Sequence, residues 1–436
     1  MNTLIKQFNS PQTYLIISDY PERFLDGEKN YGIAWHTKEI LEPIAKQYGV
    51  KFVVLAEKGS SSEPELYQNN HILVLRVFDP KHHSLFPIIL KWLFIFNKIH
   101  YVQVHSEFCA NGGIKNQLLL LPFLLLIKSF NKHITYFAHN VVQSISDIAP
   151  HLNLKPHSKT VKLINFGLPY YYAFLGLLIN QFVVMDQVIL NRLRRFVPHK
   201  KIILIPFWVK NNNKVISQIK AKKELHIHKT DFVLLYFGFI TYYKGADWLI
   251  QTFKKLQKTH PFRNIKLILA GGVAHSLKDH AYYQHFLEDI YKRTRSEKNI
   301  TITGFVPEDK IQTYFSASDL VVFPYRGLIG ASATLTHTLS YHKPFILSNY
   351  MKDLLINKEV SEILNRNKTK LHEILFEYNT KSFSNIIIKC KKNNFRKKLK
   401  RISIDLAHKR SFSHIIINCY HELYCHDHHQ KAIHKA

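Results

Sequence analysis

The sequence predicts an α/β protein made of two doubly wound, Rossmann-like domains in series. Three observations carry this. The chain has 436 residues, too many for one ordinary core and suited to two. Short apolar β-type runs alternate with amphipathic segments through the first half, the order that builds a parallel sheet with helical crossovers. The same alternation restarts after a polar, basic stretch at 209–229.

In order, Tyr14–Ser18 reads as the first strand, followed by a loop rich in Asp, Pro and Gly and a helix near Ala34–Tyr48. Lys51–Ala56, Ile72–Val77 and Tyr101–His105 are the next strands, a helix covers Asn116–Phe130, and His133–Ala138, Phe182–Met185 and Ile202–Ile205 complete the set. After the linker come strand Phe232–Phe237, helix Ala246–Gln257, strands Lys266–Ala270 and Ile300–Thr303, helix Glu308–Ser316 and strand Leu320–Phe323. A helix begins near Ala333, Pro344–Ser348 is a strand, and 350–436 is helical and very basic. The expected organisation is a first domain at 1–208, a linker at 209–229, a second domain at 230–400 and a basic, His-rich tail at 401–436 placed to cross back to the first.

Hydrophobic residues make up 46% of the chain, enough for two cores and too many for a disordered protein. The formal net charge of +29 favours polyanionic partners: phosphorylated substrates, an anionic membrane face or nucleic acid. A Lys- and Asn-rich drift in composition reads equally well. No RNA-recognition, helix-turn-helix or paired CxxC signature is present, so nucleic acid is not an expected partner. Four cysteines are too few for a disulfide scaffold and suit the reducing cytoplasm. The first twenty residues lack a continuous apolar signal core. Leu118–Ile127 is too short to span a bilayer, and Asn180 and Gln181 interrupt Leu168–Met185. Both runs read as a buried helix or a helix followed by a strand, with docking at the inner face of an anionic membrane as the open alternative.

Four segments occur in order in the second half: YFGFITYYKGADWLIQTFKKL (236–256), IKLILAGG (265–272), ITITGFVPEDKIQTYFSASDLVVFPYR (300–326) and GASATLTHTLSYHKPFILS (330–348). In these motifs and their spacing the chain resembles the retaining glycosyltransferases of family four, glycosyl transferases group 1. The resemblance covers about 120 residues well and is thinner over 12–208. It implies the GT-B fold, two Rossmann-like domains facing a cleft, with a nucleotide-sugar donor in the second and a glycan or lipid-linked acceptor in the first. It further implies transfer of a hexose with retention, a donor phosphate oxygen accepting the acceptor's proton, no cofactor beyond the donor co-substrate and no metal. No Asp-x-Asp donor-metal motif is present.

The residues make chemical sense beside the name. A nucleoside diphosphate can be held by a lysine, free backbone N–H groups and a helix N-terminus. Gly238 ends a strand where a side chain would obstruct a ligand at the carboxyl edge. Lys244 stands before Gly245 at the mouth of a helix, and the resemblance makes it the diphosphate-binding lysine; otherwise it is a turn lysine. Gly330, Ala331, Ser332, Ala333 and Thr334 leave N–H groups open before a helix, with Ser332 also able to act as an ordinary N-cap. Arg326 adds positive charge there or forms a surface ion pair. Gly271, Gly272 and Val306 follow strands on the same rim, where resembling enzymes receive the nucleobase.

In the first half, Gly32 is the candidate for a loop glycine approaching the donor phosphate, or a plain helix-start glycine. His139 closes strand 133–138, where relatives place a catalytic histidine in the cleft. His105 and Glu107 lie on the same rim, as acceptor ligands or as caps. The chain also departs from its relatives. Many carry two glutamates before a terminal Gly-x-Pro, contacting sugar and ribose; counting back from Pro344, those positions hold Ile329 and His337, and His342 stands where the glycine would be. Two other readings stay open: a catalytically weak homologue acting as a partner or scaffold, motivated by the absent acids, and a basic nucleic-acid-binding protein. The crowded tail residues Cys419, His421, Cys425, His426, His428 and His429 could hold zinc but lack finger spacing, which favours a solvated tail.

Overall fold

The structure, a computed structural model, describes residues 1–22, 32–79, 82, 85–107, 114–146, 149, 154–155, 157–210, 216–259, 262–274, 277–327, 332–415, 419–420 and 423–424. Fourteen strands form two sheets among these residues. The first sheet contains β1 (Thr13–Ile17), β2 (Lys51–Glu57), β3 (Glu65–Tyr67), β4 (Ile72–Phe78), β5 (Tyr101–Ser106), β6 (His133–Ala138), β7 (Gln181–Val184) and β8 (Lys201–Leu204). Its order is β3-β4-β2-β1-β5-β6-β7-β8, parallel except for the β3–β4 pair. The second sheet is wholly parallel: β9 (Phe232–Phe237), β10 (Ile265–Ala270), β11 (Ile300–Ile302), β12 (Leu320–Phe323), β13 (Phe345–Ser348) and β14 (Leu375–Phe376), ordered β11-β10-β9-β12-β13-β14.

The inner strands are unbroken apolar runs because helices cover both faces, as in β2, where Phe52 through Ala56 are all buried. The strand order reverses between β1 and β5 in one sheet and between β9 and β12 in the other. A doubly wound sheet opens a crevice at such a reversal, beyond the carboxyl ends of its strands. Both crevices open onto the cleft between the domains, so the fold fixes where the chemistry sits.

The long basic helix of the tail region does not wait for residue 401. It runs unbroken from Asn393 to Lys409 and buries Leu399, Ile402 and Leu406 in the second core. The crossing comes after it: Val209 N donates to Arg410 O at 2.6 Å, and Val209 pairs with Ser411 as an isolated bridge. Ile415, Tyr420 and Tyr424 then join the first core, where the Tyr424 hydroxyl donates to Gln103 Oε1 at 2.7 Å. The expected linker is likewise shorter than 209–229, because helix Gln218–Glu224 belongs to the second domain: buried Lys222 donates to Asp319 Oδ2 at 3.0 Å and Asp231 O at 2.6 Å.

Two further expectations are refined. Leu118–Ile127 lies in helix Ile114–Ser129, which buries Leu120, Phe123, Leu124 and Ile127 but leaves Leu118, Leu119, Leu125 and Leu126 exposed. Leu168–Met185 is a helix end plus a strand, Lys159–Leu178 and β7. Among the described residues no helix is long and apolar enough to cross a membrane. Removing the ring of Tyr424 should show how much the returning tail secures: Tyr424→Ala opens a cavity and orphans Gln103, and should cost the first domain about 3 kcal/mol in denaturant unfolding.

Candidate functional site

The second-domain wall is built at the ends of β9 and β12. Gly238 follows β9 at φ +106°, a backbone region that side-chain-bearing residues avoid. A Cβ there would meet Lys244 Nζ at 2.8 Å and Thr334 Oγ1 at 3.2 Å. Three of the sequence candidates thus converge on one point. Lys244 is carried by a 3-10 turn, Tyr242–Lys244, which Gly245 closes at φ +71°. Gly245 is packed so tightly that a Cβ would sit 1.9 Å from Pro324 O.

Of the two readings of Arg326, added charge for a phosphate or an ion pair, the structure shows the ion pair. Its guanidinium makes a two-pronged pair with Asp247, at 2.8 Å and 2.7 Å, and also donates to Tyr242 O, while its backbone N donates to Tyr243 O at 2.7 Å. With both terminal nitrogens bonded to the protein, Arg326 clamps the turn that carries Lys244. Asp247 was not singled out from the sequence, since an acid in a first helical turn is common.

The Lys244 ammonium has no carboxylate or hydrogen-bond acceptor among the described residues; its neighbours are the rings of Tyr325, Phe239 and Tyr243 at 5.8–6.0 Å. Burial pulls its pKa down to about 8. The contrast with Lys222 and with Lys343, which donates to Ser316 O at 3.0 Å and Ser318 O at 2.9 Å, is informative: those lysines are satisfied internally. Lys244 is left with positive charge and donor capacity for an anion.

Ser332 accepts from Leu335 N at 3.3 Å and caps helix Ala333–Ser340. Thr334 Oγ1 donates to Phe237 O at 3.2 Å and stands at the Gly238 corner, at the start of a helix whose first N–H groups have no partner within the helix. Ala333 is exposed at the helix start. Gly330, Ala331 and Ile329 lie outside the described residues. Gly271 and Gly272 pack against the backbones of Gly238 and Phe305, so they hold the loops of this edge together. Val306 points its side chain into the core, contrary to a rim role for that side chain; only its backbone can serve there. His337 packs on Phe237 and Phe315, and burial, reinforced by Lys210, lowers its pKa to about 4, so it is a neutral imidazole. His342 adopts φ +51°, the conformation for which a glycine would be suited.

The first-domain wall is built at the ends of β5 and β6. His139 N donates to Ser106 O at 3.1 Å, which fixes the backbone beside β5, and His139 is half-buried. His105 does not face an acceptor. It is buried, stacks on Phe137 at 4.3 Å, and meets His139 Nε2 through Nδ1 at 3.2 Å and Gln103 through Nε2. It supports His139 from behind. Glu107 accepts from Asn140 Nδ2 at 3.1 Å; burial raises its pKa, and its charge in turn raises that of Tyr243 across the cleft. Gly32 starts helix Gly32–Tyr48, and its Cβ position is open.

One participant escaped the sequence reading. His36 lies buried against Trp208, Phe207 and His139, and among the described residues neither of its ring nitrogens has a hydrogen-bond partner. Ligand nitrogens of His36, His105 and His139 all lie within 4.8 Å of one another, a set able to hold a transition ion such as zinc. Burial drives all three pKa values down, that of His139 to about 3, so the trio is neutral near physiological pH. Of the crowded tail, Cys419 packs against the first core, whereas His421, Cys425, His426, His428 and His429 lie outside the described residues.

Comparison with known proteins follows this geometry. Residues 231–390 match the family described as glycosyl transferases group 1. The uncharacterized glycosyltransferase MJ1607 of Methanocaldococcus jannaschii is 26% identical over 108 residues, covering 25% of each chain. MJ1059 of the same organism, also an uncharacterized glycosyltransferase, is 24% identical over 282 residues and 63% of each chain. The matched regions therefore span less than two thirds of either relative. Among solved structures, sucrose-phosphate synthase from Thermosynechococcus elongatus superposes with a TM-score of 0.68 at 14% identity, covering 95% of this chain and 99% of that one. Anabaena HepE in complex with UDP-glucose gives a TM-score of 0.63 at 14% identity, covering 94% and 99%. The fold is GT-B.

Lys244 would hold a bound anion in a pH-dependent way. In the free protein it loses its proton above about 8, whereas a bound diphosphate would hold that proton, so affinity should fall as pH rises from about 7 to about 9, approaching tenfold per unit. The same depressed pKa, below the ordinary 10.5, means that a desolvation penalty weighs fully on the empty fold below about 8 and is relieved as pH rises toward the ordinary value. Calorimetric titration with UDP across this range checks the affinity trend, and Lys244→Arg should flatten it.

Proposed function

We propose that this chain is a glycosyltransferase that moves a hexose from a nucleoside diphosphate sugar to a glycan or lipid-linked acceptor, with retention and without a metal, in the cytoplasm and peripheral to an anionic membrane face. The observation that carries the reading is the Lys244 ammonium, held without an acid beside the Gly238 corner and the helix start at Ser332–Thr334. The family match over 231–390 supports it. A uridine nucleotide is the first donor to test, because HepE is a fold neighbour solved with UDP-glucose.

In this reading the barrier is departure of the diphosphate from an oxocarbenium-like sugar carbon. Lys244 and the N–H groups of the helix start stabilise the charge that builds on the leaving phosphate. Arg326 and Asp247 hold Lys244 in register without touching the donor. His139, neutral and backed by His105, lines the sugar side and can donate or accept a hydrogen bond to a hydroxyl. Glu107 and Asn140 face the acceptor. A donor phosphate oxygen takes the acceptor hydroxyl proton as the new glycosidic bond forms on the face the diphosphate leaves. The neutral His337 replaces an acid at the ribose rim, where it can still offer one donor and one acceptor.

That replacement also favours a second reading, a homologue that binds the donor but turns it over weakly. The two separate in one experiment. A panel of nucleoside diphosphate sugars is screened by thermal shift, and those that stabilise the fold are assayed for transfer. Lys244→Ala should abolish the shift and lower turnover by about 10²–10³-fold while the unliganded melting curve persists. Binding without turnover selects the second reading, and no binding of any donor by the wild type rejects both. His139→Ala should lower turnover by roughly 10²-fold with donor binding kept. EDTA should leave turnover unchanged.

A further inference from the structure

Helix Lys159–Leu178 is apolar on two opposite sides. Leu168, Tyr171, Tyr172 and Leu175 enter the first core, as expected of a surface helix. The outer stripe should then be polar. It is not: Leu163, Phe166, Phe174 and Leu177 follow one another at helical spacing, facing solvent, and the neighbouring helix Ile114–Ser129 adds Leu118 and Leu125. These six side chains are 57–71% exposed. The patch continues onto helix Leu85–Ile95 through the exposed ring of Phe94, which packs edge-on against Phe130 at 4.9 Å. A contiguous apolar face on three adjacent helices marks an interaction surface rather than scattered exposed residues.

Charge identifies the occupant. Residues 80–185 contain nine lysines and only two acids, Glu107 and Asp147. Glu107 is turned into the cleft toward Asn140. The three helices themselves carry no Asp or Glu. Lys128 bridges two of them, donating to Leu177 O at 2.5 Å, so a cation stands at the border of the apolar stripe. Apolar and aromatic side chains ringed by lysines, with no helix able to cross a bilayer, suit a surface that sinks its side chains to the headgroup boundary of an anionic leaflet.

We propose that the outer face of helices 85–95, 114–129 and 159–178 docks this protein onto an anionic lipid bilayer. The assignment deepens the peripheral-membrane part of the proposed function by naming the face. It does not depend on the transfer chemistry. Helix 114–129 starts just beyond Glu107, at the carboxyl end of β5, so docking on this face brings the acceptor side of the cleft next to the lipid surface.

The test is flotation of the full chain with vesicles of phosphatidylcholine alone or mixed equally with phosphatidylglycerol, with UDP thermal shift run in parallel. The protein should float with the mixed vesicles, be partly released by high salt, and stay behind with neutral ones. A Leu163→Glu, Phe166→Glu, Phe174→Glu variant should bind the mixed vesicles at least about tenfold more weakly while keeping its melting temperature and its UDP shift. Lys128→Glu should weaken binding at low salt and less so at high salt. Failure of the wild type to float, or equal flotation of the triple variant, overturns the proposal. So does a wild-type dimer in solution that the triple variant converts to monomer, since a second copy would then own the face. A lost UDP shift in the wild type with flotation intact would sink the donor reading and leave this one standing.

Discussion

A lysine ammonium taken out of bulk water, with no carboxylate to answer it, is the constraint around which the second domain is arranged. Burial lowers the Lys244 pKa as it lowers that of Lys343, to about 8 in each, but among the described residues only the Lys343 ammonium has protein oxygens to donate to. Everything near it serves placement. Gly238 yields the space a side chain would fill, Gly245 lets the turn close against Pro324, and the Arg326–Asp247 pair pins the turn to the following helix. Lys222 and Lys343 show the alternative arrangement, in which protein oxygens satisfy the ammonium from within. A chain with a large surplus of lysine thus holds internally bonded lysines beside one whose described neighbours are rings.

The opposite wall uses the reverse device. Three histidines are stripped of water and kept neutral, and aromatic rings from Phe137, Phe207 and Trp208 hold them in place. Three neutral imidazoles and the Glu107 carboxyl stand on this wall, and the Lys244 ammonium stands on the other. The walls are tied by more than the linker. The chain returns after Lys409, pairs at Val209 and Ser411, and places Tyr420 and Tyr424 in the first core. Helix Gln187–Arg194 also rests on the segment Asn349–Ile356, so the first domain touches the second on both sides of the crossing.

The outer helices of the first domain add a third environment, apolar and basic at once. The Lys244 cleft and this apolar face occupy the same molecule. The strand order places them close together, since β5 carries Glu107 at its end and leads into helix Ile114–Ser129.

By itself the sequence determined the two sheets and singled out Gly238, Lys244 and Thr334, which meet at one corner. Long parallel strands are continuous apolar runs, so β6, β9 and β12 are legible to the residue, and the glycine, lysine and small-residue elements of 236–334 stand at fixed offsets from them. Of the four edge strands, β8 and β11 were legible as apolar runs, whereas β3 (Glu65–Tyr67) and the two-residue β14 were not. Only the tertiary structure decided how the charged and polar side chains are spent. Arg326 became a clamp because Asp247 lies 79 positions away in sequence yet within hydrogen-bond reach. His105 turned inward and His36 emerged as its companion because β1, β5 and β6 bring their loops to one edge. The apolar run at 118–127 divided into a buried and an exposed half because one side of its helix meets the sheet and the other does not. Burial and partner choice depend on residues far apart along the chain, and local pattern holds no record of them.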